Sequence, residues 1–287
     1  VIDGNIFALA VYDGKLIAGG GATYCIASWD GSGWSAVGTG IDFTVYALTV
    51  FDGKLIAAGG SNVDGMEKSR IASWDGNGWS QLGSGIAGEH YYTESAYPFV
   101  YALTVYNGKL IAGGLFSAAG GAATSNIASW DGSNWSPLGS GMGEEGYPLF
   151  VYTMTVYNLK LIAGGLFSRA DNVAADNIAF WNGSNWSPLG SGINEAVLSL
   201  TAFDGKLIAG GGFITIDGVA ANMIASWNGS SWSPLGSGVN GSVGALTVYD
   251  GKLIAGGGFT LAGGAPANYI ASWDGSNWSA LGSGMNG

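Results

Sequence analysis

At 287 residues with a net charge of −11, the chain has nine Lys and Arg, too few to neutralise nucleic-acid phosphates or an anionic membrane surface. Charged residues make up only 10% of the chain and apolar residues 47%, yet no apolar run approaches the ~18 residues of a membrane span, so no membrane insertion is expected. The single cysteine, Cys25, excludes an internal disulfide framework and a cysteine-rich metal centre, and the opening at Val1 reads as that of a processed or excised piece.

The first predicted element is "ALAVYDGKLIAGG", from Ala8. It recurs from Ala47, Ala102, Thr153, Ser199 and Ala245, at spacings of 39, 55, 51, 46 and 46 residues. Each copy is followed by an I-A-x-W segment and then by W-S-x-(L/V)-G-(S/T)-G. Self-similarity at this period marks a repeat architecture.

Within a repeat, four short runs rich in β-branched and aromatic residues predict four strands. In the last copy they are "GALTVY", "KLIAGGG", "YIASW" and "NWSALG". Asp-Gly or Asn-Gly joins the first two runs in five copies, a strong hairpin signal, and Asn158-Leu159 is the exception. The same dipeptides open the turn between the third and fourth runs in every copy. No stretch holds a 3.6-residue period, so helix is not expected. The strands also lack the alternation of a sheet with one wet face, so both faces are to be covered. The reading is an all-β, six-bladed β-propeller with four antiparallel strands per blade. It forms one domain, 1–287, with blades at about 1–40, 41–85, 86–141, 142–192, 193–238 and 239–287. The two ends of the chain fall in the same phase of the repeat and are expected to be adjacent, between blades six and one.

All twelve tryptophans fall in the repeated segment. They form the pairs Trp29 and Trp34, Trp74 and Trp79, Trp130 and Trp135, Trp181 and Trp186, Trp227 and Trp232, and Trp273 and Trp278. No ring is left over for a special site, so they are expected to wedge the outer parts of the blades apart. The first-hairpin turns bring Asp13, Asp52, Asn107, Asn158, Asp204 and Asp250 to one face, each with a lysine close behind. Asp and Asn are turn formers, and the lysines are read as solvated. The glycine pairs of "LIAGG" are expected where blades converge and only small residues fit. Cys25 holds a position filled elsewhere by Arg70, Asn126, Asn177, Met223 and Tyr269, and is read as an incidental thiol at a tolerant site.

A glycine pair ending the second strand, a Trp and then "PLGSGM" resemble the kelch repeat across essentially the whole chain. The similarity is to repeats of secreted bacterial propeller proteins and fungal cortical polarity-marker proteins. One departure is a Trp ending the third strand where kelch repeats usually place Tyr. The resemblance implies a fold rather than an activity, because kelch-like propellers include enzymes, adhesins and scaffolds.

The face opposite the tight turns carries the irregular loops, where recognition usually resides. Two insertions, Ile86 to Val100 and Met142 to Phe150, flank blade three. They offer His90, Tyr91, Tyr92, Glu94, Tyr97, Glu144, Glu145 and Tyr147. Aromatic rings beside acceptor carboxylates suit sugar hydroxyls or a protein partner, and packing of the loops is the competing reading.

Catalytic chemistry has little to draw on. His90 is the only histidine, and no G-x-S-x-G elbow accompanies it. The histidines of a galactose-oxidase-type copper site and the arginine cluster of a sialidase are missing, since Arg70 and Arg169 are the only arginines. Asp171 with Asp176, or Asp64 with Glu67, offers calcium only an incomplete ligand set. Gly236, Gly238 and Gly241 match G-x-G-x-x-G but precede no helix. No catalytic residue, metal or cofactor is therefore expected. N-x-S sequons at Asn134, Asn182, Asn185, Asn228, Asn240 and Asn277 offer glycan sites in a secreted protein, or follow from turn chemistry alone. The expected function is a non-enzymatic extracellular or cell-surface module with a structural or adhesive role. Its partner is a protein, a second copy of the chain or a glycan, and the alternative is a lectin-like propeller using the irregular loops.

Overall fold

The two-residue turn of the first hairpin fixes the register of each repeat. Asp13 and Gly14 both take left-handed backbone conformations (φ 49° and 69°), leaving Tyr12 opposite Lys15. Such a turn twists with the strands it joins, which explains the Asp-Gly and Asn-Gly dipeptides. The computed structural model describes residues 4–21, 25–39, 41–60, 70–88, 98–143 and 149–285. Among these residues there is no helix, and every regular element is a strand.

Each repeat forms a four-stranded antiparallel sheet whose strands pair in sequence order, as the sequence predicts. In repeat three the strands are Phe99–Tyr106, Lys109–Leu115, Ile127–Trp130 and Trp135–Pro137. They shorten along the sheet because the second hairpin closes after only three residue pairs, Trp130 facing Trp135 beside the turn. Six such sheets occur among the described residues.

The chain divides into two compact units, Val1–Val151 and Tyr152–Gly287, and the division falls inside the strand Phe150–Tyr157. The first unit holds repeats one to three. Its apolar clusters lie between successive sheets: Ile56, Ile71 and Leu82 of repeat two pack with Val100, Leu110, Phe116 and Trp130 of repeat three. In the second unit, Ile208, Ile224 and Leu235 of repeat five pack with Val243, Phe259 and Trp273 of repeat six. Covering both faces accounts for strands such as Lys54–Gly60, buried at every residue after its first lysine, with Leu55 and Ala57 packed towards repeat one and Ile56 and Ala58 towards repeat three.

Two features go beyond the four predicted strands. Repeats three to six carry a second, two-residue hairpin between strands two and three, for example Ala118–Ala119 against Ala122–Ala123. In repeat three its arms are all alanine and its turn is Gly120-Gly121, so β-branched enrichment does not reveal it there, and in repeats four to six each arm is only two residues long. The linker after the fourth strand reaches this hairpin in the next repeat, with Ile86 opposite Ala119, Ile193 opposite Ile216 and Val239 opposite Ala262.

The second feature is a β-bulge in the first strand. The register slips between Ile6 and Ala8, Val45 and Ala47, Val100 and Ala102, Val197 and Ser199, and Val243 and Ala245. The residues left unpaired are Phe7, Tyr46, Tyr101, Leu198 and Gly244. The bulge also accounts for one glycine of each pair. A Cβ on Gly20, Gly59, Gly114, Gly211 or Gly257 would strike a carbonyl oxygen of the repeat's own chain beside the bulge. Crowding inside the sheet, as well as convergence of sheets, therefore demands the small residue.

Candidate functional site

The repeated aromatic residues come first, because sequence alone leaves open whether they bind or build. The two rings of every Trp pair meet across the second hairpin, with centroids 5.4 to 5.7 Å apart. The second indole of a pair reaches the preceding repeat. Trp79 Nε1 donates to the Val37 carbonyl at 2.9 Å, and Trp135 Nε1 to that of Leu82 at 3.0 Å. Trp278 Nε1 donates likewise to the Leu235 carbonyl at 2.9 Å. The first indole of a pair covers a glycine of the preceding repeat: a Cβ on Gly83 would lie 2.8 Å from Trp130, and one on Gly236 3.0 Å from Trp273. These rings join successive repeats, through a polar contact with a fixed partner as well as through apolar cover.

The turn between strands three and four spends its polar groups on itself. Asp131 Oδ1 accepts the amides of Ser133 at 2.8 Å and Asn134 at 2.7 Å. Asn182 and Asn228 make the same closure in repeats four and five. The Ser32 amide and hydroxyl and the Gly33 amide hold the Asp30 carboxyl down at about 2, from an ordinary 3.8. Asp75, Asp131 and Asp274 are lowered by the same kind of contact.

This geometry places the sequons. Asn134, Asn182, Asn185, Asn228 and Asn277 are all exposed in these turns, and the Oδ1 atoms of Asn182 and Asn228 are engaged there. Asn240 is exposed and clamps the next repeat: its Oδ1 accepts the amides of Thr260 at 2.8 Å and Leu261 at 2.7 Å. The lysines behind the first-hairpin turns are exposed, and Lys160 Nζ lies 4.0 Å from the centre of the Phe180 ring.

The position of Cys25 is less tolerant than its varied residues suggest. In repeats three and four it holds a buried asparagine in left-handed conformation (φ 64° at Asn126, 65° at Asn177). Asn126 Oδ1 accepts the Phe116 amide at 3.0 Å, while its Nδ2 donates to the Met142 carbonyl at 2.9 Å. Asn177 makes the same pair of contacts with Phe167 and Ile193. In repeats five and six the clamp moves back one residue, to Asn222 and Asn268, which donate to Ser237 and Ser283. That shift hides the function of the position from a column-by-column reading.

The bulged residues Phe7, Tyr46 and Tyr101, with Phe99 and Phe150 beside them, form an aromatic surface that sequence reading missed. Phe7 and Tyr46 have ring centroids 5.0 Å apart, Tyr46 and Tyr101 5.3 Å, and Tyr101 and Phe150 6.1 Å. Phe99 stacks on Tyr101 at 5.7 Å, with an interplanar angle of 5°. Phe7 is 49% exposed and the other four rings are partly exposed. The row breaks the sixfold pattern, since Leu198 and Gly244 hold the bulge in repeats five and six. A bulge re-aims a side chain without altering local composition, so only the slipped register discloses it.

His90, Tyr91, Tyr92, Glu94, Tyr97, Glu144, Glu145 and Tyr147 lie outside the described residues, as do Asp64 and Glu67. Asp171 Oδ2 accepts the Trp186 amide at 2.8 Å. Among the described residues, no three His, Cys, Asp or Glu side chains are grouped to hold a metal.

No protein-family model matches the chain, and no curated protein matches it. Solved structures do. The computationally designed Ika8 protein superimposes with a TM-score of 0.55 at 16% identity, over 96% of this chain and 74% of that one. The fold is β-propeller-like. The extracellular domain of the hybrid two-component system BT4673 from B. thetaiotaomicron gives a TM-score of 0.58 at 12% identity. That match covers 96% of this chain and 32% of the other. At such identities the propeller-like likeness is one of fold.

Proposed function

We propose that this chain is a kelch-like, six-bladed propeller domain spanning residues 1–287, acting as a non-enzymatic structural or adhesive module outside the cell or on its surface. In this reading it is a repeating subunit of a larger chain, fibre or surface assembly. The observation that carries it is the use made of the repeated polar and aromatic groups. The indoles reach carbonyls of neighbouring repeats, and the turn carboxylates and amides close their own turns. A multivalent binding protein would instead turn repeated polar groups outwards. The scarcity of His, Cys and Arg supports a module without catalysis. The test is a glycan array on the folded protein together with electron microscopy of the native material. Ordered assemblies with a blank array support the reading, and sugar binding without assembly overturns it.

One observation favours a second reading, a carbohydrate-binding propeller. The partly exposed row from Phe7 through Tyr46 and Tyr101 to Phe150 presents ring faces of the kind that stack on sugars. Loss of sugar binding in Tyr46→Ala and Tyr101→Ala, with the melting temperature unchanged, would establish it in place of the first.

A further inference from the structure

Asn-Gly occurs six times in the chain, at Asn77, Asn107, Asn182, Asn228, Asn240 and Asn286. In this dipeptide the glycine nitrogen can attack the asparagine side chain, because no Cβ on the glycine hinders the approach. The reaction needs a carboxamide free to turn and a glycine N–H free of hydrogen bonds. Asn286 lies outside the described residues, and the structure separates the other five.

Four of them are held. The carboxamide oxygens of Asn182 and Asn228 each accept two backbone amides inside their own turns. The donors are Ser184 and Asn185 in the first and Ser230 and Ser231 in the second, all at 2.9 Å. Asn240 is fixed through both side-chain atoms. Its Oδ1 accepts the amides of Thr260 and Leu261, and its Nδ2 donates to Thr260 Oγ1 at 3.0 Å. At Asn77 the glycine is the tied member, since the Gly78 amide donates to Asp75 Oδ1 at 3.0 Å.

Asn107-Gly108 differs from all four. It makes the two-residue turn of the first hairpin in repeat three, and both residues are exposed and left-handed (φ 48° and 71°). Among the described residues neither the Asn107 carboxamide nor the Gly108 amide makes a hydrogen bond. A Cβ on Gly108 would meet nothing within 4 Å, so the turn stands clear of its surroundings. Bringing Gly108 N to Asn107 Cγ asks for relaxation of the two residues between Tyr106 and Lys109. At Asn182 or Asn228 two side-chain hydrogen bonds must break as well.

We propose that Asn107 is a site of self-modification in the folded protein, through a cyclic imide formed with Gly108. Gly108 N bonds to Asn107 Cγ while the Cγ–Nδ2 bond breaks, and the glycine amide proton departs with the ammonia. Water then opens the ring. Attack at Cγ gives aspartate, and attack at the main-chain carbonyl carbon gives isoaspartate, whose backbone runs through Cγ. The first product is harmless, because repeats one, two, five and six carry Asp13, Asp52, Asp204 and Asp250 at this same place. The second adds a methylene carbon to the backbone of a two-residue turn whose length sets Tyr106 opposite Lys109. The change is irreversible and falls on one hairpin of one repeat.

The test is incubation of the native protein in mildly alkaline buffer, with peptide mapping by mass spectrometry to follow amide-to-acid conversion at each Asn-Gly. Isoaspartyl methyltransferase labelling identifies the isoaspartate. Asn107 should convert about tenfold faster than Asn182 and Asn228, or more, since two neutral hydrogen bonds cost that much in rate. In concentrated urea the difference should collapse, because every Asn-Gly is then equally free to turn. Asn107→Asp should end ammonia release from this turn and keep the parent melting temperature. Equal native rates at the three sites, or a faster Asn182, overturn the proposal. A preference for Asn107 that persists in urea overturns it too, since the selectivity would then lie in neighbouring residues and not in the fold.

Discussion

The indole of Trp135 donates to the carbonyl oxygen of Leu82 at 3.0 Å, joining two repeats across 53 residues of chain. Trp135 is 6% exposed and pairs with Trp130 at 5.4 Å. Burying such a ring is worth ~4–6 kcal/mol as an upper estimate. Trp135→Ala should therefore destabilise the protein by about 3–5 kcal/mol. Trp135→Phe keeps most of the apolar contact but removes the donor, and about 1 kcal/mol of its cost should come from that lost bond. Urea midpoints for the two variants separate the apolar share from the polar one.

These relationships also show what was legible beforehand. Turn dipeptides and β-branched runs mark the hairpins and the four strands, because they act through local backbone preference. Paired tryptophans at a fixed spacing mark the ring pairs, because the hairpin of strands three and four sets that spacing. The bulge under Tyr46 and Tyr101 leaves no such mark, since a one-residue slip of register changes no residue type. The clamp at Asn126 is equally silent, because its acceptor, the Met142 carbonyl, lies 16 residues away and its counterpart in repeat five moves to Asn222.

Leu159 is the residue whose turn chemistry is wrong. It takes φ 61° where Gly14, Gly53, Gly108, Gly205 and Gly251 take 68° to 71°, and it is 89% exposed. A left-handed conformation costs a branched side chain ~1–2 kcal/mol. Leu159→Gly gives back part of that through the added freedom of the unfolded chain. A net gain of about 1 kcal/mol in equilibrium unfolding is expected, and a loss would assign the leucine a contact worth more than its strain.

Low pH should loosen the turns closed by aspartate. The folded pKa of Asp30 lies at about 2, below the ordinary 3.8, and those of Asp75, Asp131 and Asp274 are lowered as well. A depressed carboxyl contributes stability that is complete above its unfolded pKa and is lost as pH falls through the folded one. Melting temperature should thus decline between about pH 4 and pH 2. Replacing all four by Asn, which repeats four and five already use, should flatten the decline and leave stability at pH 7 nearly unchanged.

The buried clamp in repeat three offers a fourth measurement. Asn126 is 3% exposed and makes two side-chain hydrogen bonds from a left-handed backbone. Asn126→Ala strands a buried amide and carbonyl and forces alanine into that conformation, for a combined cost of ~2–4 kcal/mol. Asn126→Gly removes only the backbone part of the penalty. Differential scanning calorimetry should therefore place Gly between Ala and the parent chain.

Gly83 and Gly53 both take left-handed conformations (φ 57° and 69°), but Trp130 stands over Gly83 while nothing lies within 4 Å of a Cβ on Gly53. Alanine at either site pays the left-handed penalty of ~1–2 kcal/mol. At Gly83 it also meets the indole at 2.8 Å, adding an overpacking cost of about 1–3 kcal/mol. In equilibrium urea unfolding, Gly83→Ala should therefore be the more damaging change by roughly that second amount. Equal destabilisation of the two variants would mean that the Trp130 ring moves aside at no cost.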